Sequence, residues 1–150
     1  MDMFFGGITS SLSGLEFALF HLAKNPGMQR LAQAEIDKCV QDGGSEITWA
    51  SREQTPYLRA CLIEALRLGA VTPSSLPHVA RQDTEIEGFP VARGTFVMAS
   101  ILSLHYNPME YMDPEEFRPQ RHLQQGEFIM PESYKPYGVG EYTSCLVHAI

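Results

Sequence analysis

In the first 25 residues the apolar positions recur with the period of an α-helix, and the leucines among them are Leu12, Leu15, Leu19 and Leu22. This spacing puts the four leucines on one face of a helix that runs from Phe5 to about Lys24. Proline disfavours helical backbone in the residue before it, so the helix is expected to stop before Pro26. We expect the leucine face to pack against the third helix of the chain.

Two more helices follow from the same kind of pattern. Asn25 and Pro26 supply an N-cap and a first helical position for a helix that ends at about Val40. Its predicted inner face is Met28, Leu31, Ala32, Ile36 and Cys39. A third helix is expected to open at Pro56 and to stop at Gly69. Its predicted apolar stripe is Leu58, Cys61, Leu62, Ala65 and Leu68.

After Leu76 the pattern changes to short β-like pieces, which are Val79–Ala80, Thr84–Ile86 and Thr95–Ala99. Together with a turn at Gly88 they predict one small antiparallel hairpin. Ser100–His105 is expected to return to helix. The segment 107–137 contains five prolines and is expected to be mostly irregular. The predicted fold class is mainly α with a small β hairpin (α+β), in a chain of 150 residues that has room for one domain.

Composition narrows the function classes only slightly. The chain is 44% hydrophobic and 19% charged, as soluble globular proteins are, and its net charge of −7 argues against binding nucleic acid or an anionic membrane surface. Three cysteines leave at least one free thiol, which favours a reducing, intracellular compartment. No apolar run is long enough for a membrane segment, and the first residues lack the basic start of a signal peptide.

Two groups of residues could carry chemistry. Glu64 and Arg67 lie three residues apart on the third helix, roughly opposite its apolar stripe, and a solvated surface ion pair is the simplest interpretation. The later Asp113–Arg121 run has two prolines that stiffen the backbone and hold Arg121 ready for a bidentate carboxylate such as Glu64. The second group surrounds Cys145.

Cys145 follows the glycine-bearing segment Tyr137-Gly138-Val139-Gly140 and precedes a short apolar stretch. A turn ahead of a helix start directs N–H dipoles at the sulfur and favours the thiolate. Two alternatives stay open: an idle free thiol, and a Cys145/His148 metal pair, for which no second matching pair is visible.

In their order along the chain these residues resemble the C-terminal part of the cytochrome P450 family, the haem-thiolate monooxygenases. Phe5–Ser11 is similar to the glycine-glycine stretch of the family's long central helix, and Glu64-Ala-Leu-Arg67 to its Glu-x-x-Arg motif. Asp113–Arg121 resembles its Phe-x-Pro-x-Arg loop, and Tyr137–Cys145 its haem-binding loop. The resemblance implies that residues 1–150 form part of one such domain, from the central helix to the cysteine loop, truncated at both ends.

The resemblance implies a role for each matching residue. Cys145 would be the thiolate ligand of haem (heme, iron protoporphyrin), in a loop that includes Tyr137, Gly138 and Gly140. Glu64, Arg67 and Arg121 would form a buried charge triad that holds this segment in place. His78 would reach a haem propionate, with a strand-edge histidine as the alternative. Ser10 would stand in for the alcohol that delivers protons, beside Thr9 where the family has an acid.

The function implied is oxidation of a small organic molecule with molecular oxygen and electrons from a reductase, with secondary metabolism as one setting. Full-length relatives would be associated with the endoplasmic reticulum membrane. Thr143 and Val147, where the family has arginine and glycine, predict weak or no haem binding by the isolated chain. Thr9, where the family has an acid, would leave the proton relay without its carboxylate. The alternative is a truncated, non-catalytic relative or a gene-model fragment without haem, acting if at all as an interaction protein.

Overall fold

Helices fill the first half of the chain in the computed structural model, which describes residues 5–43 and 47–135. A π-helix, Phe5–Thr9, leads into α1, and the 3₁₀ segment Trp49–Gln54 precedes α3. The three long helices are α1 (Ser10–Lys24), α2 (Pro26–Gly43) and α3 (Pro56–Gly69). The predicted helices are therefore confirmed, with the first one opening into a wider turn over its glycine pair.

The face of α1 that packs on α3 is not the predicted one. Gly14 and Ala18 are buried, whereas Leu12, Leu15 and Leu19 are 52%, 55% and 59% exposed. The reason is the close approach of the two helices. A Cβ placed on Gly14 would lie 2.9 Å from Leu66 Cδ2. Only small side chains fit at such a contact, so the leucines lie outside it.

The helix α2 packs on α3, and its Ala32 and Cys39 are buried as predicted, but Leu31 is 55% exposed and was wrongly assigned to the inner face. A carboxylate on α2 also caps α3. Glu35 Oε1 and Oε2 accept hydrogen bonds of 2.9 Å from the backbone N–H groups of Tyr57 and Leu58. Pro56 has no N–H, so this carboxylate satisfies the next two free donors of the helix.

The helix α3 is the central element, and it is buried on more than its apolar side. Its buried residues are Ala60, Cys61, Ile63, Glu64, Ala65 and Arg67. Leu62, which was predicted in the apolar stripe, is exposed instead. The helix ends at Gly69, as predicted, and Ala70 follows in the left-handed conformation with φ of 38°.

In the described residues the β structure consists of three two-stranded antiparallel sheets, where one hairpin was predicted. The strands β1 (His78–Val79) and β4 (Phe96–Val97) form one pair, and β2 (Thr84–Ile86) and β3 (Phe89–Val91) another. The strands β5 (Leu123–Gln124) and β6 (Glu127–Phe128) form the third.

The third sheet lies in the segment that was predicted to be mostly irregular. Gln125 and Gly126 join its strands with φ of 54° and 88°. Two consecutive positive φ values are typical of the tight turn that matches the twist of a hairpin. Helix α4 (Ile101–His105) and the 3₁₀ segment Pro119–His122 complete the described chain. The mainly helical fold class with small antiparallel sheets is confirmed, and no helix in the described part is long and apolar enough to span a membrane.

Candidate functional site

The fully buried carboxylate of Glu64 lies at the centre of a polar cluster between α3 and the Pro119–His122 segment. Its Oε1 accepts hydrogen bonds from Arg67 Nη2 (2.9 Å), Arg121 Nε (2.9 Å) and the backbone N–H of Arg118 (3.0 Å). Its Oε2 lies 2.9 Å from Arg67 Nε and 2.7 Å from His122 Nε2. We call Glu64, Arg67, Arg121 and His122 the Glu64 cluster.

The two arginines of the cluster also hold the loop that connects α4 to the 3₁₀ segment. Arg67 Nη1 donates to the carbonyl oxygen of His105. Arg121 donates through Nη1 to the carbonyl of Met112 (3.0 Å) and through Nη2 to that of Asp113 (3.2 Å). Because guanidinium groups have several donors in a fixed plane, each arginine binds Glu64 and the loop backbone at the same time.

The cluster keeps Glu64 ionised. Burial by itself would raise the pKa of this carboxyl, but hydrogen bonds from His122, Arg67 and the backbone of Arg118 outweigh burial and lower the pKa to about 2. The carboxylate therefore carries its charge throughout the physiological pH range, fully compensated by the donors around it.

The structure brings Glu64, Arg67 and Arg121 together, and a solvated surface ion pair is the wrong description of the first two. Arg67 is fully buried, with its guanidinium 4.7 Å from the centre of the Tyr111 ring. The buried Pro119 begins the short 3₁₀ segment from which Arg121 reaches Glu64.

Two buried histidines escaped the analysis of the sequence. His122 directly follows Arg121, and residue spacing gives no indication that two consecutive side chains reach the same carboxylate. His105 ends α4 and stacks on Tyr134, with ring centres 5.1 Å apart. Burial, and then the charge of Arg67, lower the pKa of His105, which favours the neutral ring. The sequence signal for His105 is its place at the end of a short helix that is otherwise apolar except for Ser103.

The other predicted site residues lie apart from the cluster or outside the described residues. Thr9 and Ser10 are exposed at the junction of the π-helix and α1, and His78 is exposed on β1. Tyr137, Gly138, Gly140 and Cys145 lie outside the described residues, as do Thr143, Val147 and His148.

No group of three metal-ligating side chains occurs within residues 5–43 and 47–135. The two cysteines in these ranges, Cys39 and Cys61, are free and buried. Burial raises the pKa of the Cys61 thiol to about 12, with smaller contributions from Glu35 and Glu64. Cys61 is therefore a neutral core thiol rather than a thiolate ligand.

Comparison with known proteins identifies the family of this chain. The family model described as cytochrome P450 matches residues 1–146. The chain belongs to the cytochrome P450 family. Human cytochrome P450 2J2 is 33% identical over 146 residues, which are 97% of this chain and 29% of the relative. A probable cytochrome P450 303a1 of Drosophila melanogaster is 34% identical over 144 residues, 95% of this chain and 28% of that relative.

Solved structures of the family share the fold of this P450 chain. A zebrafish cytochrome P450 with abiraterone superimposes with a TM-score of 0.81 at 33% identity, over 93% of this chain and 32% of that one. A second zebrafish structure, with progesterone, gives 0.77 at 34% identity, over 91% of this chain and 31% of the other. The chain thus spans less than a third of the length of these relatives.

Proposed function

We propose that this P450 chain belongs to a haem-thiolate monooxygenase that oxidises a small organic molecule with molecular oxygen. The observation that carries the proposal is the Glu64 cluster, which fixes the loop ahead of the cysteine segment to the central helix α3. Burying such a charged cluster gains little stability over a well-packed apolar contact, so stability alone does not explain it. Its role is to hold the loop backbone in one conformation.

Haem fits the described residues that the resemblance assigns to it. His78 presents an exposed imidazole on β1, its register partner on β4 is the apolar Val97, and the exposed apolar side chain of Leu76 lies two residues before it. An apolar surface with one imidazole suits a porphyrin, whose body is apolar and whose edge carries two carboxylates. Cys145 would hold the iron, and His78 would bind a propionate.

When bound, haem would supply oxygen activation at an iron made electron-rich by its thiolate ligand. The contribution of the chain is to orient the group and to deliver protons near it. Ser10 would hold a proton at its hydroxyl oxygen, where α1 begins after the π-helix. The neighbouring side chain at Thr9 has no carboxylate, so solvent would have to replenish that proton.

The substrate and electron donor are proposed only by class. Abiraterone and progesterone, named with the two zebrafish structures, are small organic molecules and support that substrate class. Electrons would come from a reductase. Secondary metabolism has no support in the comparisons and is left out of the proposal. Association with the endoplasmic reticulum membrane stays an expectation for longer relatives. The comparisons do not favour the alternative of a non-catalytic interaction protein.

A haem titration of the chain tests the proposal. The departures at Thr143 and Val147 predict weak or no binding, whereas the proposed function expects excess haem, after reduction and addition of carbon monoxide, to give the red-shifted Soret band of a thiolate complex. Cys145→Ala should abolish this band and Cys39→Ala, which removes a buried thiol, should keep it. The absence of the band in the wild-type chain at saturating haem, or its survival in Cys145→Ala, would contradict the proposal.

A further inference from the structure

His122 lies at the point where the loop held by the Glu64 cluster becomes the β5–β6 hairpin. Its side chain is fully buried, and its Nε2 is 2.7 Å from Glu64 Oε2. Its backbone carbonyl accepts a 2.9 Å hydrogen bond from the N–H of Ile129, the residue that follows β6. One residue therefore contacts both the central carboxylate and the base of the hairpin.

The surroundings of the His122 ring determine which nitrogen carries the proton. Glu64 is ionised and only accepts hydrogen bonds, so the short contact requires a proton on Nε2. The Nδ1 atom is buried without a hydrogen-bond partner in the described part of the chain. A bare lone pair is less costly to bury there than an unpaired N–H on a cationic ring. The geometry therefore assigns a proton to Nε2.

The two oxygens of Glu64 also differ in what holds them. Oε1 accepts from Arg67, Arg121 and the backbone of Arg118. Within residues 5–43 and 47–135, the donors to Oε2 are His122 Nε2 and Arg67 Nε. Among the described residues, loss of His122 would leave the second oxygen of this fully buried carboxylate with Arg67 Nε as its donor, and leaving such a group partly unsatisfied is costly.

We propose that His122 is a positioning residue of this site: its Nε2–H fixes the second oxygen of Glu64 and so attaches the β5–β6 hairpin to α3. This role belongs to the chain itself and does not depend on haem binding. Its failure is therefore distinguishable from failure of the proposed function.

The test compares His122→Gln with His122→Leu by urea unfolding of the whole chain over a range of pH. The glutamine amide offers a donor near the Nε2 position, whereas leucine fills the space without one. At about pH 7 the folding constant of His122→Leu should be about tenfold below that of His122→Gln, because a hydrogen bond to an ionised group is lost. The gap should narrow below about pH 4, where loss of the donor lets Glu64 protonate earlier.

Every ionisable group facing Glu64 is the same in both variants. Arg67 and Cys61 lie on α3, Arg121 on the 3₁₀ segment, His21 on α1 and Tyr111 on the loop. A pH-dependent gap between the variants therefore reports on residue 122. A pure packing role would instead give His122→Leu equal or greater stability than His122→Gln, or a gap independent of pH, and either result would overturn the proposal.

A measurement on the wild-type chain tests the role of His122 if the variants do not fold. Nitrogen-15 NMR of the imidazole rings at neutral pH distinguishes the two neutral tautomers. The proposal expects His122 with a protonated Nε2 and a bare Nδ1. A proton on Nδ1 alone would rule out the hydrogen bond to Glu64 and the proposal with it.

Discussion

The apolar leucine face of α1 is exposed, whereas the charged face of α3 is buried, which is the reverse of what their residue types suggest. Leu12, Leu15 and Leu19 are more than half exposed, whereas Glu64 and Arg67 are completely buried. A buried charge is tolerated where every donor and acceptor finds a partner, as in the Glu64 cluster. An apolar face is buried only where its side chains fit the opposite surface. Complementarity of the partner, rather than polarity alone, decides which face is covered.

Removal of the central charge should have the largest effect on stability. Glu64→Gln should lower the free energy of unfolding by about 3–5 kcal/mol, because it leaves buried arginines without their counter-charge. Urea unfolding at neutral pH measures the loss. Glu53→Gln, in an exposed ion pair with Arg59 and Arg52, is the matched control and should change stability by no more than about 0.5 kcal/mol. Equal effects at the two positions would contradict the buried cluster.

Lowering the pH should remove the stabilisation by the Glu64 charge without a mutation. The ordinary pKa of a glutamate is 4.5 and that of folded Glu64 is about 2. The stabilisation is therefore complete above the unfolded value and is lost as the pH falls from about 4.5 towards 2. Over that pH window the free energy of unfolding of the wild-type chain should fall by about 3 kcal/mol more than that of Glu64→Gln. Parallel pH profiles for the two proteins would show that Glu64 titrates normally.

A second substitution tests the small-residue contact between α1 and α3. A Cβ on Gly69 would lie 2.5 Å from Cδ2 of the Phe17 ring, so Gly69→Ala must displace that ring. We expect a loss of about 1–3 kcal/mol in thermal or urea unfolding. At Gly27 in α2 an added Cβ meets nothing within 4 Å, and Gly27→Ala should stabilise the helix by up to about 1 kcal/mol. Effects of the same sign at both glycines would argue against the close approach.

The carboxylate cap between α2 and α3 should give a smaller effect. Glu35→Gln replaces a charged acceptor at two backbone N–H groups with a neutral side chain and should cost about 1 kcal/mol. Amide hydrogen exchange should rise at Tyr57 and Leu58 and stay unchanged at the end of α3. Asp37→Asn, at an exposed position of the same helix, is the control. Protected amides in Glu35→Gln would show that the cap is dispensable.

The smallest effect is expected on the leucine face. Leu19→Gln should change the unfolding free energy by no more than about 0.5 kcal/mol, because the side chain is 59% exposed already. The same substitution one residue earlier, Ala18→Gln, puts a larger polar group into the contact with α3 and should cost about 1–3 kcal/mol. A larger loss of unfolding free energy at Leu19 than at Ala18 would support the contact face predicted from the sequence.

Local signals were sufficient to predict the boundaries of α3, whereas α2 continues past the predicted end at about Val40 to Gly43. Pro56 and Gly69 mark the ends of α3 because proline suits a first helical turn and glycine a helix end, whatever the rest of the chain does. Gln125 and Gly126 carried a comparable signal for the β5–β6 hairpin. It was overlooked because the adjoining strands have only two residues each and lie in a proline-rich segment.

Contacts between elements could not be predicted in the same way. The leucine spacing of α1 predicts a helix with an apolar face, but the choice of contacting face depends on Leu66 and Phe17 fitting against glycines. Arg121 was predicted to meet Glu64 from the stiffness of its loop, whereas His122 was not. Its role depends on a 3₁₀ turn that directs two consecutive side chains to one carboxylate.

Glu64 joins α3 to the loop through Arg121, and a double-mutant cycle measures this connection. Unfolding free energies of the wild type, Glu64→Gln, Arg121→Gln and the double variant give the coupling between the two residues. We predict a coupling energy of about 1.5–3 kcal/mol, as for buried groups in one hydrogen-bond network. Additive single effects, with a coupling near zero, would show that the two residues stabilise the chain independently and would contradict the claim.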